Sequence, residues 1–285
     1  MMLQHEAGWP APRLNTDYSA RDIVPVPEFE RVTGLYRSLS MAALDLGSAQ
    51  TGLNFGPETG QKLDLFGTSP GQLSPCVIYI HGGYWRSLGR ADSAFMAPML
   101  AANGIATAVP NYRLAPGASM DDIVHDCRSA LAWIWHNADD LGVDQSRISV
   151  TGSSAGGHLA AALAAPGWQA DHGLPDQPLA ACLPISGLFE LAPLAAGQVQ
   201  GWMNFTPGQL ADHSPLRHPV PTCRGLVALA HAEAPGFLRQ SEAYAQATGW
   251  PLLLVPDRHH FDVVLDLTDP DTALSKALLS LVQDA

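Results

Sequence analysis

RISVTGSSAGGHLAAALA, residues 147–164, is the stretch on which the reading of this chain turns. Arg147–Thr151 has the short apolar pattern of a buried strand, and a small-residue helix, Ala155–Ala164, follows at once. Between them lies Gly152-Ser153-Ser154-Ala155-Gly156, a Gly-x-Ser-x-Gly string. A strand-to-helix turn this sharp strains the backbone of its central residue, and flanking glycines let neighbouring elements come close. Ser154 is therefore expected to lift its hydroxyl above the sheet edge as a nucleophile. The helix N-terminus behind it would face the negative charge of a tetrahedral intermediate, with the Ala155 N–H as one oxyanion donor. The alternative is a glycine-rich turn that merely joins two elements. Position between strand and helix is what favours the catalytic reading.

Working outward, short apolar runs alternate with helical patterns. Strands are expected at Lys62–Phe66, Cys76–His81, Ile105–Pro110, Leu179–Ile185, Gly225–Ala230 and Pro251–Val255. Helices are expected over Ala91–Ala102, Asp121–Leu141, Pro235–Thr248 and from Asp271 onward. In the second of these, Ile123, Cys127, Leu131 and Ile134 share a face, and Ser119 with Asp122 has the spacing of a capping box. The alternation implies one α/β domain over residues 1–285, with a mostly parallel central sheet flanked by helices. Residues 1–50 read as a helical extension on the main body, with Phe29, Val32, Leu35, Tyr36 and Leu39 at helical spacing. About 191–222 reads as an irregular lid or substrate loop carrying Trp202, Met203 and Phe205.

A second glycine motif, His81-Gly82-Gly83-Tyr84-Trp85, ends the strand at Cys76–His81. Adjacent glycines let backbone N–H groups face a carbonyl without an intervening side chain, so Gly82 and Gly83 are candidate oxyanion donors. Tyr84 and Trp85, with Trp202 and Phe205, are candidate pocket walls, and His81 reads as a structural hydrogen-bonding residue. A serine hydroxyl needs a neighbouring base, and in the matching chain order the carboxylate and then the histidine follow the serine. Asp257-Arg258-His259-His260-Phe261-Asp262 closes the last strand. His260 is preferred as base, with His259 as the alternative. The first carboxylate past the preceding strand is Glu233, with Asp257 and Asp262 as substitutes. A metal site from His231, His259, His260 and Asp257 is disfavoured because no zinc-ligand spacing such as His-Glu-x-x-His occurs. No cofactor is expected.

Composition excludes several function classes. With 15 Lys plus Arg against 27 Asp plus Glu, the net charge is −12, which repels nucleic acid rather than gathering it. The four cysteines, Cys76, Cys127, Cys182 and Cys223, form no Cys-x-x-Cys pair and read as buried free thiols. MMLQHEAGWPAPRLN has neither the basic start nor the apolar run of a signal peptide, and no apolar run reaches 18 residues. A cytoplasmic protein acting on a small acyl substrate is the expectation, with no membrane partner and a homodimer left open.

Taken together, HGGYWRSLGRADSAFMAPMLAANGIA (81–106), NYRLAP (111–116), GSSAGGHLAAALAA (152–165), EAPGFLRQSE (233–242) and HHF (259–261) resemble the arylformamidases, or kynurenine formamidases. The likeness runs from about residue 55 to 270, and LNTDYSAR (14–21) is similar to their N-terminal segment. NYRLAP is shared with hormone-sensitive-lipase-like carboxylesterases. The resemblance implies the α/β-hydrolase fold and a serine hydrolase acting on an N-formyl aromatic amine such as N-formylkynurenine, or on a small aryl or acyl ester. It also implies His260, from the His-Phe pair, as the base. Members usually carry Asp where this chain has Glu233. A ligand-binding protein on a hydrolase scaffold is the competing class, opposed by the retention of Ser154 and His260.

Overall fold

In the computed structural model, which describes residues 3–69 and 71–283, the chain folds around a nine-stranded sheet. The elements run α1 (Ala11–Asp17), α2 (Val26–Ala43), β1 (Gln50–Asn54), β2 (Lys62–Phe66), β3 (Ser74–Ile80), α3 (Ala97–Ala102), β4 (Ala106–Pro110), α4 (Met120–His136), α5 (Ala138–Leu141), β5 (Val143–Ser153) and α6 (Ala155–Ala164). They continue with β6 (Ala181–Ile185), α7 (Ala192–Ala195), α8 (Gln200–Met203), α9 (Pro207–Asp212), β7 (Arg224–Gly225), β8 (Val227–Ala232), α10 (Pro235–Thr248), β9 (Leu252–His259) and α11 (Ala273–Gln283). Sheet order is β1-β2-β4-β3-β5-β6-β8-β9, with β7 beside β6. β1–β2 and β2–β4 pair antiparallel and every other pair is parallel.

The alternation of side chains along each strand builds two cores. In β3, Cys76, Ile78 and Ile80 join the core under α4 and α6, while Val77 and Tyr79 point to the opposite core under α2, α3 and α11. Ile123, Cys127, Leu131 and Ile134 of α4 bury the face expected of them, and the Ser119–Asp122 capping box forms. Leu274, Leu278 and Val282 of α11 recur at helical spacing into the second core. All four cysteines are buried and free. No helix of the described residues is long and apolar enough to cross a membrane.

Several boundaries differ from expectation for local reasons. The helix expected over Ala91–Ala102 is only Ala97–Ala102, because Pro98 cannot sit inside a helix and instead occupies its first turn. Asp121–Leu141 breaks at Asn137, whose side-chain amide donates to the Trp133 carbonyl at 2.8 Å in place of helix continuation. Gly225 falls in the separate two-residue strand β7, and the main strand starts at Val227. β9 runs on to His259, past the expected end at Val255. β1 escaped the sequence reading, as its polar, half-exposed edge has no clear apolar alternation. Residues 191–222 are not irregular but hold α7, α8, α9 and a 3-10 turn over Pro215–Arg217. Their apolar positions are too short in run to show a helical period.

Candidate active site

Five strands end at the same edge of the sheet, and the chemistry-bearing residues follow directly. Ser154 comes after β5, Ser186 after β6, Glu233 after β8, His260 after β9, and His81-Gly82-Gly83 after β3. Ligands of open parallel sheets gather at such carboxyl ends. Ser154 holds φ 59 and ψ −119, the strained turn expected of it. Gly156 makes the turn fit, since a Cβ there would run into the Ile80 carbonyl oxygen of β3. Ala155 opens α6, so its N–H is among those the first helical turn leaves unpaired.

Glu233 Oε2 lies 2.9 Å and Oε1 3.1 Å from His260 Nδ1. Both side chains are buried, and Glu233 Oε1 also accepts a hydrogen bond from the Ser186 hydroxyl. A carboxylate on Nδ1 orients the ring and leaves Nε2 for the substrate side. Asp262 instead accepts from the His259 backbone N–H at 2.7 Å, and Asp257 is exposed. His259 Nδ1 accepts from the Phe261 and Asp262 backbone N–H groups, and its Nε2 lies 3.6 Å from Glu28 of α2. It thus sits between the last loop and α2 and is not among the residues lining the cavity that Ser154 lines. Among the described residues, the one grouping of His, Cys and carboxylate side chains close enough to share an ion is Glu28, His259 and Asp262, not the four residues weighed from sequence.

Ser154, His260, Gly82 and Gly83 wall one cavity of about 320 Å³. Among the described residues no hydrogen bond joins the Ser154 hydroxyl to the His260 imidazole, though both line the cavity; catalytic hydrogen bonds of this kind tighten as substrate binds. Gly83 has φ 97, a region closed to most side chains. Tyr112 donates its hydroxyl to the carbonyls of His81 and Gly82 at 3.0 and 3.2 Å, which steadies the glycine loop. His81 itself is buried, stacked on Tyr112, and pushed down to about 4 by that burial, as befits a structural rather than a proton-transferring ring.

Residues 63–174 match the BD-FAE family. Kynurenine formamidase of Salmo salar is 32% identical over 251 residues, covering 83% of this chain and 83% of that protein. The chain belongs to the kynurenine formamidase family. The Danio rerio kynurenine formamidase is 27% identical over 98% of this chain and 94% of its own length. The esterase of Pyrobaculum calidifontis superposes with a TM-score of 0.72 at 19% identity, covering 97% of this chain and 98% of that one, a likeness of fold. The chain is accordingly a hydrolase with the α/β-hydrolase fold.

In this formamidase-family cavity, Tyr84 and Trp202 are walls as the sequence suggested, but Trp85 and Phe205 are not. Both are buried behind it, ring edge to ring face at 6.2 Å, with the Trp85 indole N–H turned to His158. The unexpected walls are N-terminal: Tyr18, Ser19, Ala20 and Arg21, then Phe29, Thr33 and Tyr36 of α2. Ser186 was also missed. Its only signal was a hydroxyl one residue past a strand end, shared with many loop serines.

Arg21 and Arg86 supply the charge of the cavity. The Arg21 guanidinium lies 4.6 Å over the Phe29 ring and that of Arg86 3.9 Å over Trp202. Among the described residues neither is paired with a carboxylate. Asp92, the carboxylate in the cavity wall, is 3.1 Å from Arg37.

Proposed function

We propose that this chain hydrolyses an aryl formamide of the N-formylkynurenine type through a formyl-enzyme on Ser154. The reading rests on one observation: Ser154 and the Glu233-held His260 wall the same cavity beside Gly82 and Gly83. Ser154 Oγ bonds to the formyl carbon as His260 Nε2 takes its proton, and the N–H groups of Gly82, Gly83 and Ala155 receive the oxyanion. Collapse breaks the C–N bond, and the proton on His260 leaves with the arylamine. Water, giving a proton to His260, then attacks the ester; the bond from the formyl carbon to Ser154 Oγ breaks, His260 returns the proton to that oxygen, and formic acid departs, ionising to formate. Glu233 orients the imidazole and offsets its positive charge while the proton is held.

A formamide of this type carries an aromatic ring and, in N-formylkynurenine, a carboxylate. The rings of Tyr84, Trp202 and Phe261 and the guanidinium groups of Arg21 and Arg86, which have no carboxylate partner among the described residues, suit both features. Curated relatives at 32% and 27% identity bear the name kynurenine formamidase, which supports the same substrate class.

The test measures hydrolysis of N-formylkynurenine, formanilide and p-nitrophenyl acetate by the wild type and Ser154→Ala. The expected result is the highest kcat/KM on N-formylkynurenine and loss of all three activities in the variant. A preference for the ester by more than about tenfold would transfer the reading to a carboxylesterase. Absence of turnover on any of them would favour a binding protein on this scaffold.

A further inference from the structure

Gly83, Tyr84 and Trp85 hold φ of 97, 49 and 58, three left-handed residues in succession of which two carry large side chains. A loop so disfavoured keeps its shape only if its surroundings fix it. Tyr84 is held at its hydroxyl by the Tyr18 carbonyl and at its own carbonyl by the Trp202 indole N–H, 3.2 Å away. Trp85 is held differently. Its indole N–H donates to His158 Nδ1 at 3.3 Å, the two rings 5.2 Å apart and perpendicular.

His158 is fully buried and belongs to α6, four residues past Ser154, where its backbone N–H donates to the Ser154 carbonyl at 3.1 Å. Its Nε2 lies 2.7 Å from the His213 carbonyl oxygen. An indole nitrogen can only donate and a carbonyl can only accept, so the two neighbours demand one neutral tautomer, bare at Nδ1 and protonated at Nε2. Both nitrogens are used and neither reaches the cavity. One ring therefore ties the helix carrying Ser154 to the glycine loop on one side and to the segment after α9 on the other.

We infer that His158 is a positioning residue, whose imidazole fixes the Gly82–Gly83 loop against the Ser154 helix so that the loop amides stand where the oxyanion forms. This rests on the serine mechanism above. The amides gain most from the charge of the tetrahedral intermediate and little from the neutral carbonyl of bound substrate. Loosening the loop should therefore lower kcat and spare KM.

Trp85→Phe removes the donor while keeping an aromatic ring, and His158→Phe removes the acceptor. Both, their double variant and Ser154→Ala are assayed on p-nitrophenyl acetate and N-formylkynurenine, with inhibition by phenylboronic acid, which mimics the tetrahedral adduct. In the single variants kcat is expected to fall about 10- to 100-fold with KM held within about twofold. Boronate inhibition should weaken in step, and the double variant should lose no more than His158→Phe alone. The inference is overturned if kcat is unchanged in the single variants while Ser154→Ala is inactive, if KM carries the loss, or if the two losses multiply. Should His158→Phe fail to fold with the His213 carbonyl left unpaired, Trp85→Phe alone decides by the same split. Full activity in Ser154→Ala would overturn the serine mechanism itself, and this inference with it.

Discussion

The Glu233 carboxylate meets His260 Nδ1 and the Ser186 hydroxyl together. On the proposed mechanism Glu233→Gln leaves the ring without its anionic partner and lowers kcat by about 10³-fold. Loss of only a few-fold, measured with p-nitrophenyl acetate at saturation, would remove Glu233 from the triad. Gly156→Ala presses a methyl into the Ile80 carbonyl. It should cost about 2 kcal/mol or more of stability, read from urea unfolding midpoints. That Ser154, Glu233 and His260 each sit one residue past a strand emerged only in the fold, where β8 and β9 outrun their apolar runs. As candidates they were legible from chain order, with the His-Phe resemblance choosing His260 over His259. Trp85 and Phe205 were not. Whether an aromatic faces a cavity or backs onto it depends on which distant groups its ring meets, as the Trp85 indole meets His158, and the residue type does not reveal that.

At the scale of elements, the N-terminal segment is part of the site rather than an appendage. Tyr18 offers its carbonyl to Tyr84, and its hydroxyl donates to Glu6 Oε2 at 2.8 Å. Glu6, 1% exposed at its side chain, is paired with Arg239 of α10 at 2.6 Å, and Arg239 also reaches Asp17 at 2.7 Å. Arg239→Met strands the buried carboxylate and should destabilise the fold by about 3 kcal/mol. The pair Glu6→Gln with Arg239→Met should cost less than the single change, since the buried Glu6 charge is then gone and Asp17 keeps Arg13 at 3.7 Å. Urea unfolding of the three proteins checks this, and a double variant weaker than Arg239→Met would contradict it. The sequence showed α2 by its apolar spacing, but not that α2 and residues 18–21 line the cavity. That placement depends on contacts more than two hundred residues apart in the chain.

For the whole molecule, two buried histidines set an acid limit. Burial pushes His81 down to about 4 and His158 down to about 3, against about 6.5 in the unfolded chain. Between those values the unfolded state binds protons that the native state refuses, so stability rises with pH across this window and falls as pH drops below about 6.5. The thermal midpoint should therefore fall from pH 7 to pH 5, and less steeply in His158→Phe, which has no imidazole to protonate at that position. An equal fall in the two proteins would remove His158 as a contributor. The net charge of −12 surrounds a cavity lined by two guanidinium groups without a carboxylate partner among the described residues, a contrast that composition averages away. The sequence by itself determined the main alternation of strands and helices, though not β1 or α7 to α9, together with the turn at Ser154 and the buried thiols, because hydrophobic period and glycine punctuation act locally. Tertiary structure alone decided which walls enclose the cavity, which ring nitrogen of His260 the Glu233 carboxylate takes, and that Glu233 rather than Asp257 or Asp262 meets His260. Those depend on where separate strand ends converge, and on side-chain directions fixed only when both cores close.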